Sequence, residues 1–264
     1  MPLTIDHALL RLEGRLPCDV PVDWQAGSLR IDGEPQRADA VAWLPAVTGT
    51  VYGTLLNFRG ALAALGDAIH QPPYNAPPRA PILYIKPRNT LSAHRRAIVV
   101  PTGVDELEIG ATIGVVIGRT ACRLSADDAM DVIAGYTIAN DVSVPHPDFY
   151  RPSIRYKCRD GFLPIGPWVM AARHLPRPDA LEIRVAIDGK PCVHAALSDL
   201  VRPIATLLAD VTAFMTLAPG DVLLVGVPAG APRARSGQHV AITVDGVGTL
   251  ENTLVAATTA TGDA

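Results

Sequence analysis

The sequence predicts a mixed α/β, β-rich fold, on three observations. Runs such as IGATIGVVIGR and GDVLLVGVP are unbroken and β-branched, the composition of strands covered on both faces. Asp32-Gly33 and Asp188-Gly189 lie between alternating stretches, where they suit two-residue hairpin turns. Helical spacing of apolar residues is sparse and clearest over 201–217. The strands are too irregularly connected for a doubly wound sheet. Neither G-x-G-x-x-G nor G-x-x-x-x-G-K-[ST] occurs, so no nucleotide fingerprint is present.

In chain order, residues 1–48 are expected to form a small N-terminal β appendage with a hairpin at SLRIDGEPQR. Residues 49–256 make the main domain, and 257–264 a disordered tail. TVYGTLLNF is a strand, followed by an alanine- and leucine-rich helix ending near His70 and the linker QPPYNAPPRAP. ILYIKPRNT is a strand that places Lys86, Arg88 and Asn89 where it runs out. SADDAMDVIAGY reads as a short helix, with Ser125 as N-cap, Asp127 and Asp128 in the first turn and Gly135 at its end. LEIRVAIDGKPCVHA is a hairpin. Residues 201–217 form a helix that buries Ile204, Leu207, Leu208, Val211, Phe214 and Met215. GDVLLVGVP and HVAITVDGVGTLENTLV supply the last strands.

Charge and cysteine usage narrow the function classes. A net charge of -3 argues against nucleic acid, which needs a basic face. No window approaches the roughly 20 apolar residues of a membrane span. The N-terminus lacks the basic, apolar and small-residue order of a signal peptide, so a cytoplasmic location is expected. The 4 cysteines lie far apart with no C-x-x-C pair, which suggests reduced thiols. Cys158, between Lys157 and Arg159, is a candidate for a lowered thiol pKa.

The richest chemistry lies in 140–167, NDVSVPHPDFYRPSIRYKCRDGFLPIGP. It combines Asp141 and Asp160 with Arg151, Arg155, Lys157 and Arg159. Positive charge that is local in a chain negative overall fits a small anionic substrate. A proline-rich loop on a rigid scaffold is where such a substrate would be held.

These strings carry a resemblance. AGYTIANDVS, KCRDGFLPIGP, GVPAG and GVGTLEN resemble, in order over residues 50–256, the fumarylacetoacetate hydrolase family. PPYNAPPRAP, KPRNT and NDVSVP followed by FYRP look like the decarboxylase/isomerase branch that acts in 4-hydroxyphenylacetate degradation. The resemblance implies a β-roll or β-sandwich with flanking helices and a homodimer, or a hetero-oligomer with a metal-bearing paralogue. It also implies chemistry on 2-oxo acids through an enolate. In that branch 5-oxopent-3-ene-1,2,5-tricarboxylate is decarboxylated to 2-hydroxyhepta-2,4-diene-1,7-dioate, which is then isomerised.

Lys157 matches the family lysine and is expected at the enolate oxygen. Asp141, Asp160 and His146 are the acid/base candidates; Asp160 could instead be the salt-bridge partner of Lys157. Arg88, Arg151, Arg159, Tyr150, Asn57 and Lys86 are expected to bind substrate. The resemblance further implies Mg or Mn, held by Glu-x-Glu and an Asp. Here Asp141 is kept, but Gly110 and Thr112 stand at the glutamate positions. Glu106 and Glu108 share the spacing but fall earlier and read as solvated charges. Ala61 replaces the family's histidine base, and Val227 replaces a threonine hydroxyl. Three readings follow: a decarboxylase/isomerase, a weakly active partner of a metal-bearing paralogue, and an acylpyruvate-type C–C hydrolase. The first survives loss of base and metal best, because decarboxylation needs only an electron sink.

Overall fold

The computed structural model describes residues 2–23, 25–26, 28–72, 75–146 and 153–257, so the expected tail lies almost wholly outside them. Strands dominate, as the composition predicts. The opening segment gives β1 (Ala8–Leu10), β2 (Cys18–Val20), β3 (Val22–Asp23), β4 (Ser28–Ile31) and β5 (Glu34–Arg37). The main body continues with β6 (Val51–Leu55), helix α1 (Arg59–Ala63), β7 (Ile82–Lys86), β8 (Leu91–Ser92), β9 (Ile98–Val100) and β10 (Glu106–Glu108). Next come β11 (Ala111–Ile117), β12 (Ile133–Asn140), helix α2 (Ile154–Lys157) and β13 (Leu163–Ala171). The last third holds β14 (Glu182–Ile187), β15 (Lys190–Ala196), helix α3 (Ile204–Thr212), β16 (Val222–Leu224), β17 (Arg233–Arg235), β18 (His239–Val244) and β19 (Gly248–Ala256).

The main sheet has the order β2-β1-β13-β12-β11-β16-β6-β7, with β8 beside β13. A second sheet runs β15-β14-β18-β19-β9. β3–β5 form a small sheet, and β10 with β17 a two-stranded ribbon. β1 pairs with β13, so the first strands of the opening segment are stitched into the main sheet while β3–β5 stand beside it.

Strand β11 shows why the apolar run was so continuous. Ile113, Val115 and Ile117 enter the larger core, while Val116 enters a smaller one on the opposite face. Trp168 of β13 ties the two large sheets together, its indole N–H donating to the Val247 carbonyl at 2.6 Å. Both Asp-Gly turns form as expected, with φ of 53° and 83° at Asp32 and Gly33 and 50° and 75° at Asp188 and Gly189.

Three helical expectations need correction. Over 125–135 only Ala129–Val132 forms a 3-10 turn, and Gly135 lies inside β12. Ser125 does make the cap-like contact, accepting from the Asp128 N–H at 3.2 Å. Pairing of β12 with both neighbours prevails over the local signal; a Cβ at Gly135 would fall 2.2 Å from the Met170 carbonyl oxygen. Helix α3 ends at Thr212, which leaves Phe214 67% exposed instead of buried. The expected alanine-rich helix is likewise short, giving way after Ala63 to a 3-10 turn over Gly66–His70.

Candidate active site

A cavity of about 750 Å³ opens where β6, β10, β12 and the segment after β16 converge. Its floor is Asp141, directly beyond the last residue of β12 and wholly buried. Three donors surround this carboxylate. Lys86 Nζ lies 2.9 Å from Oδ1, Lys157 Nζ 2.9 Å from Oδ2, and the Tyr84 hydroxyl donates to Oδ2 at 2.5 Å.

Local sequence explains the convergence. Tyr84 and Lys86 alternate along β7 and therefore project from one face. The Tyr84 ring lies across Gly53, where a Cβ would meet its Cζ at 2.0 Å. Lys157 ends α2, whose turn closes through the Lys157 N–H donating to the Ser153 carbonyl at 2.8 Å. The turn is tied back by the Val144 N–H donating to the Tyr156 carbonyl at 3.1 Å.

The two lysines do different work. Lys86 has three N–H donors and three acceptors: Asp141, the Lys157 carbonyl at 2.5 Å and the Phe162 carbonyl at 3.1 Å. It is buried and saturated, so it positions Asp141 and the end of α2 and has no N–H left for a substrate. Lys157 gives one N–H to Asp141, lines the cavity, and stands 5.7 Å from the centroid of the Tyr84 ring. Its remaining donors are available to an anion.

Burial alone would raise the Asp141 pKa, but the charges of Lys157 and Lys86 and the hydrogen bonds of Lys86 and Tyr84 outweigh it. The carboxyl is held well below its ordinary range. Burial pushes Lys86 down against the pull of Asp141, and burial with the Asp141 charge pushes Tyr84 well up. Asp141 is therefore held as the carboxylate and Tyr84 as the neutral phenol, and of the two lysines it is Lys157 that lines the cavity.

The remaining wall is largely apolar: Leu55, Leu65 and Ile82, with Pro228 and Ala229 beyond. Ala61, where the resemblance would place a histidine base, also lines the cavity and offers no proton acceptor. Thr54 lines it too; this residue is 2% exposed, and its hydroxyl has no hydrogen-bond partner among the described residues.

The other sequence candidates fall variously. His146 lines the cavity, its Nδ1 3.0 Å from the Val144 carbonyl and its ring stacked on Tyr156 at 4.6 Å. Asp160 is exposed and accepts from Asn89 Nδ2 at 2.7 Å, so the salt-bridge partner of Lys157 is Asp141 and not Asp160. Arg159 donates to the Arg155 carbonyl at 3.0 Å, and Arg88 is exposed in a 3-10 turn; neither lines the cavity. Asn57 is buried, with its amide spent on the Arg202 backbone and the Val225 carbonyl, where it fixes the chain beside β16. Tyr150 and Arg151 lie outside the described residues. Cys158 is no activated thiol, since burial leads its pKa upward. Tyr84 and Thr54 escaped the sequence reading altogether.

A divalent cation does not fit the position implied by the family. At Gly110 a Cβ would fall 2.3 Å from the Asp141 carbonyl oxygen, so no glutamate can stand there without moving the backbone. The oxygens of Asp141 are already taken by the lysines and Tyr84. No group of three His, Cys, Asp or Glu side chains clusters among the described residues.

Residues 50–255 match the model of the fumarylacetoacetate (FAA) hydrolase C-terminal family. The 4-hydroxyphenylacetate degradation bifunctional isomerase/decarboxylase of Salmonella dublin is 44% identical over 208 residues, which cover 79% of this chain and 47% of that protein. The chain thus spans about half the length of that relative. The mitochondrial oxaloacetate tautomerase fahd-1 of Caenorhabditis elegans is 36% identical across 70% of this chain and 84% of its own length. Among solved structures, the 2-hydroxyhepta-2,4-diene-1,7-dioate isomerase of Mycobacterium marinum superposes with a TM-score of 0.80 at 26% identity, covering 96% of this chain and all of that one. No helix among the described residues is long and apolar enough to cross a membrane.

Proposed function

The chain belongs to the fumarylacetoacetate hydrolase family of enzymes, and from that premise we propose that it decarboxylates 5-oxopent-3-ene-1,2,5-tricarboxylate and isomerises the resulting 2-hydroxyhepta-2,4-diene-1,7-dioate. The observation that carries this reading is Lys157, an ammonium braced by a buried carboxylate with N–H groups left over at the cavity wall. The departing carboxylate of the tricarboxylate is vinylogous to its ketone. When that C–C bond breaks, its electron pair forms a new alkene, the existing alkene shifts, and the charge arrives on the former ketone oxygen. Lys157 stabilises that dienolate oxygen, while Asp141 and Lys86 hold the ammonium in place without reorganising. The apolar wall keeps water away and strengthens the same field.

A C–C hydrolase is less well supported. It must activate water against a carbonyl, and Ala61 faces the cavity where the family's base would be. The reading includes assembly with a second copy or, without depending on it for turnover, with a metal-bearing paralogue, as the resemblance implies.

The test is CO2 release from 5-oxopent-3-ene-1,2,5-tricarboxylate by the purified chain, with and without EDTA. Lys157→Ala is expected to lower kcat by roughly 100- to 1000-fold, the usual effect of losing one preorganised donor. Activity that appears only with a metal-bearing paralogue present would make the chain a partner subunit and reject this mechanism.

A further inference from the structure

Strands β10 and β17 carry a ladder of charges on one face. Glu106 stands across from Arg235 and Glu108 across from Arg233, while Leu107 and Ala234 are buried on the other face. The pairing is lopsided. Arg233 turns diagonally to Glu106, donating to Oε1 at 2.8 Å, and Arg235 approaches Oε2 of the same carboxylate at 3.7 Å. Glu108 receives neither guanidinium, and its carboxylate makes no ion pair or hydrogen bond among the described residues.

Its position is nevertheless fixed. The Glu108 N–H donates to the Ser143 carbonyl at 2.8 Å, and the Ser143 N–H returns to the Glu108 carbonyl at 3.2 Å. That bridge holds Glu108 beside the strand leaving Asp141, and its half-buried side chain lines the same cavity as Lys157. Two carboxylates thus face one cavity. Asp141 is saturated by three donors, whereas Glu108 retains both oxygens for proton exchange.

We propose that Glu108 is the catalytic acid/base that moves the carbon-bound proton in the isomerisation. This rests on the functional reading above. The enol O–H of the dienol breaks and its proton leaves to solvent. The freed pair becomes the ketone C=O, the C2–C3 pair shifts to C3–C4, and the C4–C5 pair takes a proton from the carboxylic acid of Glu108. The resulting carboxylate is reprotonated from solvent, so no oxidant or further reactant is needed. Lys157 remains at the oxygen throughout, and the division of labour follows from the geometry: one group holds charge at oxygen and another carries the proton at carbon.

The test uses 2-hydroxyhepta-2,4-diene-1,7-dioate as probe, following loss of the dienol absorbance and, in D2O, deuterium entering C5. Glu108→Gln is expected to lower kcat for this step by ~100-fold or more with KM little changed. CO2 release from the tricarboxylate should fall far less, because it needs only the electron sink. Glu182→Gln, which removes the same charge on β14 at a residue that does not line the cavity and leaves Arg233 on Glu106, should keep the isomerisation. The proposal is overturned if Glu108→Gln isomerises like wild type, if both steps fall together, or if His146→Gln and not Glu108→Gln abolishes the deuterium transfer. Wild-type protein that turns over neither substrate would instead reject the functional reading itself.

Discussion

Asp141 and Glu108 line one cavity but are held in opposite ways. Asp141 is wholly buried between two ammonium groups and a phenol, and Gly110 presses its backbone from behind. Glu108 sits at the end of a two-stranded ribbon whose arginines are both turned to Glu106. A carboxylate held that firmly in its charged form can fix geometry and field but cannot exchange a proton near neutral pH. A carboxylate with spare lone pairs contributes little to stability and is open to chemistry. Position in a cavity therefore does not by itself assign a role; the number of donors already engaged does.

The largest expected difference is in stability. Asp141→Ala leaves the Lys86 ammonium buried without its counter-charge, and truncating one partner of a buried pair typically costs ~3–5 kcal/mol. Glu108→Ala should stay within about 0.5 kcal/mol of wild type, as is usual where the lost side chain has no ion pair or hydrogen bond to break. Urea midpoints of the two variants would decide it, and equal shifts would remove the distinction. Lys157→Ala should lie between them in stability, since Lys86 still faces Asp141, while losing most turnover.

A smaller effect comes from the glycine that makes room for Tyr84. In Gly53→Ala the new methyl would overlap the phenol at Cζ and Cε2, so the ring must leave and its hydroxyl must release Asp141. Overpacking of this kind costs about 1–3 kcal/mol. If the loss runs through the Tyr84 hydroxyl, adding Tyr84→Phe to Gly53→Ala should destabilise less than Tyr84→Phe does in wild type. Full additivity in thermal melts would show that the glycine matters only for packing.

Much of this site could be read in the sequence, though not the direction in which each charge points. Lys157 and Asp141 stood out because both fell in one dense polar segment between buried strands. Asp160, Arg88 and Arg159 fell there or at a strand end as well, yet they face outward; charge density in a loop says nothing about orientation. Lys86 was placed correctly at the end of β7, but its three acceptors come from distant parts of the chain and no local pattern announces them. Tyr84 was readable in principle, since the period of two in ILYIK puts it on the face of Lys86. What concealed it was Gly53 on the neighbouring strand, a signal that exists only once the register is known. Over 125–135, acidic first-turn residues spelled a helix, but two flanking strands needed Ile133–Asn140 to complete the sheet.

The effect that is smallest per pH unit separates the contribution of Asp141 from that of a second buried group. His94 packs edge-on against Trp43 and accepts the Glu251 N–H at Nδ1, at 3.1 Å. Burial first, then the charges of Arg95 and His239, lower its pKa to about 3. Its folded value lies below the unfolded one of about 6.5, so its stabilisation is complete above that pH and is lost as pH falls toward the folded value. Asp141 is likewise depressed, but from an unfolded value near 3.9, so its stabilisation disappears only below about pH 4. Wild-type stability should therefore decline from about pH 6.5 downward, by at most ~1.4 kcal/mol per pH unit for the one histidine. In His94→Gln that upper slope should flatten, leaving the acid loss to begin near pH 4. Adding Asp141→Asn to that background should then weaken the lower phase, leaving the part supplied by Asp188 and Asp245, whose carboxyls are held low by the His239 N–H and by Arg184, and adding Glu108→Gln should leave it unchanged. A lower phase undiminished by Asp141→Asn would mean that Asp141 is not a carboxylate the fold depends on, and the contrast between the two acids would lose its basis.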